Sequence, residues 1–221
     1  MTAEPHLWKL ARQLQALAQT GLTYATSNYD RERYQTASDI AAELMALQNP
    51  TSAATFRQLF ALQDGYATPK VDVRATVFRD DQVLLVREAS DGLWTLPGGW
   101  ADVNDSLAEA VERETFEESG FRVKARKLAA VYDRAKHPHE PPFPFHIYKL
   151  FFLCDILDGA PSPSGETSAV DFFIRTRCPR YPARGSCRSR YSVCMNIGAI
   201  PHSRRISIDP ARCRRRLQRA I

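Results

Sequence analysis

Residues 96–121, LPGGWADVNDSLAEAVERETFEESGF, decide how this chain is read. The segment opens on a glycine turn, Pro97-Gly98-Gly99, and passes a cap-like Asn104-Asp105-Ser106. It continues as an acidic helix, predicted over residues 106–118 and closed by Gly120. Glu114 and Glu118 are four residues apart and Glu117 is three beyond Glu114, so a helix gathers all three carboxylates on one side. Carboxylates this close repel one another, and the cluster costs stability unless a cation neutralises it. Oxygen ligands grouped in this way suit a hard ion, Mg²⁺ or Mn²⁺, which keeps positions for water and phosphate. Arg113, beside Glu114, is placed to hold a ligand carboxylate. A solvated acidic helix face would carry the same charges, so the charges alone do not decide; the spacing of the whole segment does.

Upstream, Val71, Val73, Ala75 and Val77 alternate with polar residues, the period of a strand. Further strands are predicted at residues 83–86, 92–96, 121–132, 145–156 and 169–173. A Pro- and His-rich loop, residues 133–144, joins the two longest. Residues 1–65 read differently. Helices are predicted over 7–18, with Leu7, Leu10, Ala11, Leu14 and Ala18 on one face and Gly21 closing it. Two more are predicted over 30–47, with Ile40, Leu44 and Leu47 apolar, and over 53–62, with Phe56, Leu59 and Phe60. So short a helical module buries little core alone and must pack on the rest of the chain or on a second subunit. The expected organisation is an α/β chain with a helical module at 1–65, a mixed α/β domain at 66–173 and a tail at 174–221.

The composition is that of a globular protein, with 44% hydrophobic residues among 221. No apolar run is long enough to span a bilayer, and the first residues lack the pattern of a secretory signal. The net charge of +5 misleads. Residues 174–221 hold 13 Arg and one acid, Asp209, a charge of +12, which leaves −7 on residues 1–173. Four of the five cysteines also lie there, and the body holds Cys154 alone. The expectation is a cytosolic body without a disulfide, binding neither membrane nor nucleic acid.

The 96–121 segment resembles the Nudix box, G-x5-E-x7-R-E-U-x-E-E-x-G-U with U apolar. Gly99, Arg113-Glu114, Glu117-Glu118 and Gly120-Phe121 fill its positions. Asp105 stands where the family has Glu, and Thr115 where it has an aliphatic residue. The likeness extends over GYATPKVDVRATVF, LLVREASDGLWTLPGGWADV, VYDR, PFHIYKLFFLC and GETSAVDFF. Residues 1–173 are similar to a bacterial subgroup described as ADP-ribose pyrophosphatases, with CDP-choline-cleaving relatives. The resemblance implies a Nudix α/β/α sandwich and attack of water on one phosphorus of a nucleoside diphosphate linked to a group X. It also implies Glu114, Glu117 and Glu118 as ligands of Mg²⁺, with Mn²⁺ the alternative.

Arg113, Glu117 and Glu166 are the candidate catalytic residues; Glu166 lies where many relatives bring another acid to the site. Asp133, Arg134 and His146 are the candidate substrate contacts, beside a loop that would cover the substrate. His137, His139 and Glu140 crowd that loop, but their spacing is not that of a structural zinc site. Trp94 and Trp100 flank the glycine turn, and core packing is the expected role of both. The expected assembly is a cytoplasmic homodimer acting on a small nucleotide: ADP-ribose first, a CDP-alcohol second. Removal of pyrophosphate from RNA ends is disfavoured by the acidic body. A non-catalytic Nudix sensor is disfavoured by a box in which Asp105 alone departs among the charges.

The tail reads as frameshifted. Arg- and Cys-rich, Lys-free sequence is what a GC-rich gene yields out of frame. The codons of Met195 and Asn196 force GAA, Glu, in the alternate frame. That frame permits a loop, a proline stop, an amphipathic helix and then a stop codon across Ile208 and Asp209. The rival, a basic arm for nucleic acid, lacks an aromatic platform or a known motif. The expectation is that residues 174–221 form no packed domain, since 13 like charges repel and few apolar side chains offset the ordering entropy. Restoring the alternate frame should raise the melting temperature by several degrees. Equal melting temperatures, or a protease-resistant Arg-rich tail, contradict this.

Overall fold

The computed structural model describes residues 5–136, 142–174 and 206–207, the last pair as backbone. The chain divides into two compact units, residues 1–70 with 133–147, and residues 71–132 with 148–221.

The first unit holds α1 (His6–Tyr24), α2 (Asn28–Ala46) and α3 (Ala53–Ala61). Ser27 and Ser52 cap α2 and α3 by accepting the Asp30 and Thr55 N–H groups. Ala11 and Ala18 are buried and Leu14 and Leu44 pack against the core as expected, but Leu10, Ile40 and Leu47 depart from the expected face. Trp8, Ala11 and Ala18 of α1 and Ala41, Ala42 and Met45 of α2 are fully buried, whereas Leu10, Leu17, Ile40 and Leu47 are exposed. Small residues let the helices approach closely, and the larger aliphatic ones are left outside. Gly21 does not end α1, which continues to Tyr24. A Cβ at Gly21 would overlap the Tyr34 ring, so this glycine serves the contact of α1 with α2. Trp8, Phe56, Phe60 and Phe145 form an aromatic chain in this core.

The second unit is mixed α/β. Its strands are β1 (Lys70–Arg79), β2 (Gln82–Glu88), β3 (Trp94–Thr95), β4 (Phe121–Asp133), β5 (Ile147–Gly159), β6 (Thr167–Ile174) and β7 (Ile206–Ser207). They form one sheet in the order β3-β2-β1-β5-β4-β7, with β6 paired to β2. The helix α4 (Leu107–Ser119) packs on it. Val73, Ala75 and Val77 of β1, Phe152 of β5 and Ala110 and Val111 of α4 bury one another in the main core. A second cluster joins Val83, Leu85, Leu96 and Phe151, with Trp94 edge-on to Phe173 at 4.7 Å. Trp94 thus packs as expected. Trp100 does not: it is 44% exposed. The pattern of β1 was also misleading, because its polar residues are not solvated. Asp72 is 4% exposed and Thr76 fully buried, and the Arg74 side chain is 14% exposed. In the tail, Ile174 ends β6 and β7 pairs antiparallel with β4; residues 175–205 and 208–221 lie outside the described residues, as do His137, His139 and Glu140.

Gly120 closes α4 in the left-handed conformation (φ 75°), its N–H donating to the Phe116 carbonyl at 2.8 Å. A Cβ there would meet the Ala160 carbonyl oxygen at 2.5 Å, whereas one at Gly65 (φ 80°) would meet nothing. Gly65→Ala should cost the left-handed penalty alone, about 1 kcal/mol. Gly120→Ala adds a clash and should cost roughly 3 kcal/mol in urea melts. Equal losses contradict this reading of the cap.

Candidate active site

The helix that carries the carboxylates is fixed at both ends. Ser106 accepts the Glu109 N–H at 3.2 Å while Glu109 accepts the Ser106 N–H at 2.8 Å, a reciprocal cap. At the other end Thr167 Oγ1 donates to the Glu118 carbonyl at 2.7 Å, joining β6 to the last turn. Thr115 is fully buried, and its hydroxyl donates to the Val111 carbonyl at 2.6 Å, so a hydroxyl replaces the expected aliphatic side chain without an unpaired polar atom.

The glycine turn is hydrogen-bonded to β1. The Val73 and Ala75 N–H groups donate to the Gly99 and Pro97 carbonyls at 2.8 Å each, and the Ala101 N–H donates to the Val71 carbonyl at 3.1 Å. Gly98 has φ 136°, and a Cβ there would overlap the Val73 carbonyl oxygen. A Cβ at Gly99 would meet Glu114 Oε2 at 2.5 Å. Both glycines therefore make room, one for β1 and one for a carboxylate.

The three glutamates sit in different surroundings. Glu118 is 9% exposed and accepts the Gly98 N–H at 2.8 Å. Burial pushes its carboxyl up to about 7, against the pull of Arg74 and the Gly98 N–H and with the repulsion of Glu114 and Glu88. Glu114 is also raised, by burial first. Glu117 is 55% exposed. Arg113 gathers four carboxylates, contacting Asp102 at 2.9 Å, Asp105 at 3.1 Å, Glu114 at 2.9 Å and Glu117 at 3.1 Å. Asp105 thus reaches Arg113 despite lacking a methylene.

A cavity of about 960 Å³ opens over these groups. Arg113, Glu114, Glu117 and Glu118 line it, and so does Glu166. The Glu166 carbonyl accepts the Ala89 N–H at 2.8 Å, which fixes its loop beside the end of β2. Arg74, Glu88, Ser90, Trp100 and Ser164 line the cavity too, and none was singled out from sequence as a site residue. The sequence signal for Arg74 was available as a charged pair, Asp72 and Arg74, two apart on an apolar strand.

Asp133, Arg134 and His146 fall in the helical unit. His146 lies 3.3 Å from Asp133, and the Arg134 guanidinium stands over the Phe143 ring at 5.5 Å. They form their own cluster, which the residues lining the carboxylate cavity do not include.

Among the described residues, no three acidic, His or Cys side chains stand ready to hold a metal ion. Glu114 and Glu117 are engaged by Arg113 instead. The donor set nevertheless fits a hard cation: oxygen ligands throughout, and in Glu118 a buried carboxylate with no cation hydrogen-bonded to it among the described residues.

The family models match in two blocks. Residues 5–60 match the UDP-X-like N-terminal oligomerisation domain, and residues 68–179 match the NUDIX domain, running past Phe173. YjhB of Bacillus subtilis strain 168, whose ADP-ribose pyrophosphatase name is provisional, is 39% identical over 196 residues, 89% of this chain and 94% of its own. The crystal structure of an ADP-ribose pyrophosphatase from Streptococcus suis 89-1591 is 37% identical, covering 61% of this chain and 96% of that one, with a TM-score of 0.51. The crystal structure of a UDP-X diphosphatase is 27% identical, covering 86% and 93%, with a TM-score of 0.54.

Glu118 also makes a stability prediction. Its folded value of about 7 exceeds the ordinary 4.5, so between those pH values the folded chain keeps a proton that the unfolded chain has released. Stability from this group is therefore present at low pH and lost as pH rises through about 7. Glu118→Gln should raise the melting temperature of the metal-free protein at pH 8, by the equivalent of roughly 1–3 kcal/mol, and change it little at pH 4. A variant less stable than wild type at pH 8 contradicts the burial argument.

Proposed function

Because the chain belongs to the Nudix family of pyrophosphohydrolases, which act on nucleoside diphosphate derivatives, we propose that it hydrolyses ADP-ribose to AMP and ribose 5-phosphate with Mg²⁺. The observation that carries this reading is the carboxylate helix held against the Gly98-Gly99 turn, its Glu114, Glu117 and Glu118 lining a cavity large enough for a dinucleotide-sized ligand. The similarity to the Streptococcus suis ADP-ribose pyrophosphatase and to YjhB, provisionally named as one, supports the choice of base and of X. The assembly proposed is a cytoplasmic homodimer. Leu10 and Leu17 on α1, Ile40 on α2 and Leu47 just after it are exposed and lie within the block that matches an oligomerisation domain. No helix among the described residues is long and apolar enough to cross a membrane.

Glu114, Glu117 and Glu118 would hold the ion, with Mn²⁺ as an alternative to Mg²⁺. Bound there, it would neutralise the diphosphate and polarise the attacking water. The protein's own part is positional. Arg113 holds Glu114 and Glu117 in place and keeps their charges from forcing the helix apart. The Gly98 N–H orients Glu118. Glu166, which lines the same cavity, is assigned as the acceptor of the water's proton. Asp133, Arg134 and His146 keep their assignment as substrate contacts, tested by alanine substitution with KM as the readout.

A second reading, cleavage of a pyrimidine nucleotide such as a UDP- or CDP-linked compound, is favoured by the N-terminal match to a UDP-X-like model and by the UDP-X diphosphatase structure. A panel of nucleoside diphosphate derivatives with and without Mg²⁺ decides between them. ADP-ribose should give AMP and ribose 5-phosphate, with activity abolished by chelator and cut by orders of magnitude in Glu118→Gln. Release of a nucleoside diphosphate or free phosphate, or near wild-type turnover of that variant at limiting Mg²⁺, contradicts the proposal.

A further inference from the structure

The cavity contains a cation that the carboxylate helix does not supply. Arg74 donates from Nε to Asp72 Oδ1 and from Nη2 to Asp72 Oδ2, both at 2.9 Å, and from Nη1 to the Leu96 carbonyl at 3.2 Å. Lys149 Nζ lies 3.0 Å from each oxygen of Asp72. Although burial works against its charge, the Arg74 guanidinium and the Lys149 ammonium hold the Asp72 carboxyl below its ordinary value. The Arg74 and Lys149 side chains are each 14% exposed and that of Asp72 is 6% exposed, so two cations and one anion are packed together under the glycine turn.

A buried charge in excess is costly unless something compensates it. Within the fold the surplus positive charge acts on Glu118 and Glu88. Those carboxylates are partners in the substrate-free protein, and any cation bound to Glu118 would take over that role. A guanidinium also has five N–H donors. Three are used by Asp72 and Leu96, which leaves one on each Nη without a bond among the described residues, in a side chain that lines the cavity. Two parallel donors in a rigid fork match two oxygens of a phosphate better than an ammonium does.

We propose that Arg74 binds a phosphate of the diphosphate substrate, and that Asp72 and Lys149 are the positioning pair that fixes its guanidinium in the cavity. The inference rests on the diphosphate-hydrolase reading of the site. The strand carries this logic: residues two apart point to the same side of β1, so the anchor and the anchored group share a face. The Leu96 contact ties the same guanidinium to the turn that positions Glu118 through Gly98. Substrate phosphate and metal-binding helix are thereby referred to one strand.

The experiment measures binding of methylene-bridged ADP-ribose, which cannot be cleaved, by calorimetry in Mg²⁺, alongside nucleotide-free Mn²⁺ titrations and thermal melts. Arg74→Gln should raise the analogue Kd by about 10- to 100-fold, the scale of a charge-assisted hydrogen-bond pair. It should leave Mn²⁺ affinity equal or tighter, since a cation near Glu118 is removed. Arg74→Lys keeps the charge but loses the fork, and should give a smaller rise of roughly 5- to 10-fold. Lys149→Met should shift the Kd in the same direction, by less. A folded Arg74→Gln that binds the analogue within about two-fold of wild type overturns the proposal. If that variant does not fold, the same result from Arg74→Lys overturns it. Wild-type protein that hydrolyses no member of the substrate panel and binds no analogue overturns the diphosphate reading as well. Normal hydrolysis with indifferent Arg74 variants removes the Arg74 assignment alone.

Discussion

A carboxylate is held inside the protein at the end of α4, and much of the second unit is arranged around it. Glu118 is 9% exposed and bonds to one backbone N–H, from a glycine whose φ of 136° few other residues adopt. That N–H is in place because the turn is hydrogen-bonded to β1, and β1 can approach because Gly98 has no Cβ. Burial raises the carboxyl towards neutrality, so the fold maintains an acid poorly stabilised in its charged form. A hard cation bound there would relieve that tension, so that a demand for metal would follow from packing as well as from ligand type.

Arg113 shows how the metal-free protein tolerates the remaining charge. Four carboxylates converge on one guanidinium, two from the loop before α4 and two from the helix itself. The pairs with the more exposed Asp102 and Glu117 contribute little individually, while that with Glu114 is largely shielded from water. Together they keep like charges from separating the loop from the helix. They also explain why Asp suffices at position 105: its partner is Arg113 at 3.1 Å, within reach of the shorter side chain.

The box and the strands around it were legible because their signals are local: a cap-like Asn104-Asp105-Ser106, a helix-closing glycine and carboxylates at helical spacing. The helix spans agree with the periodicity to within a few residues, except where Gly21 was read as a stop. There the glycine answers to Tyr34 on another helix, a contact that sequence spacing does not encode. Leu10 and Ile40 depart from their expected faces for a related reason: Ala11, Ala41 and Ala42 are fully buried, because close helix approach selects small residues, while these larger aliphatic side chains are exposed. Asp72 and Arg74 were hidden in another way. Alternation marks the two faces of a strand but does not say whether the polar one meets water, and here it meets Lys149 and the cavity. Trp100 was assigned to the core by its type and lines the cavity instead.

The central claim, that the buried carboxylates form a cation site whose charge is restrained by the fold, is tested most directly by proton release. Mn²⁺ should be titrated calorimetrically into nucleotide-free protein at pH 6.5, in two buffers of different ionisation enthalpy. With Glu118 near half-protonation at about pH 7, binding should expel a substantial fraction of a proton per ion, giving apparent enthalpies that differ between the buffers. The difference should vanish in Glu118→Gln and shrink at pH 8.5. Tight Mn²⁺ binding with no buffer dependence at pH 6.5, or no binding at all, would contradict the account.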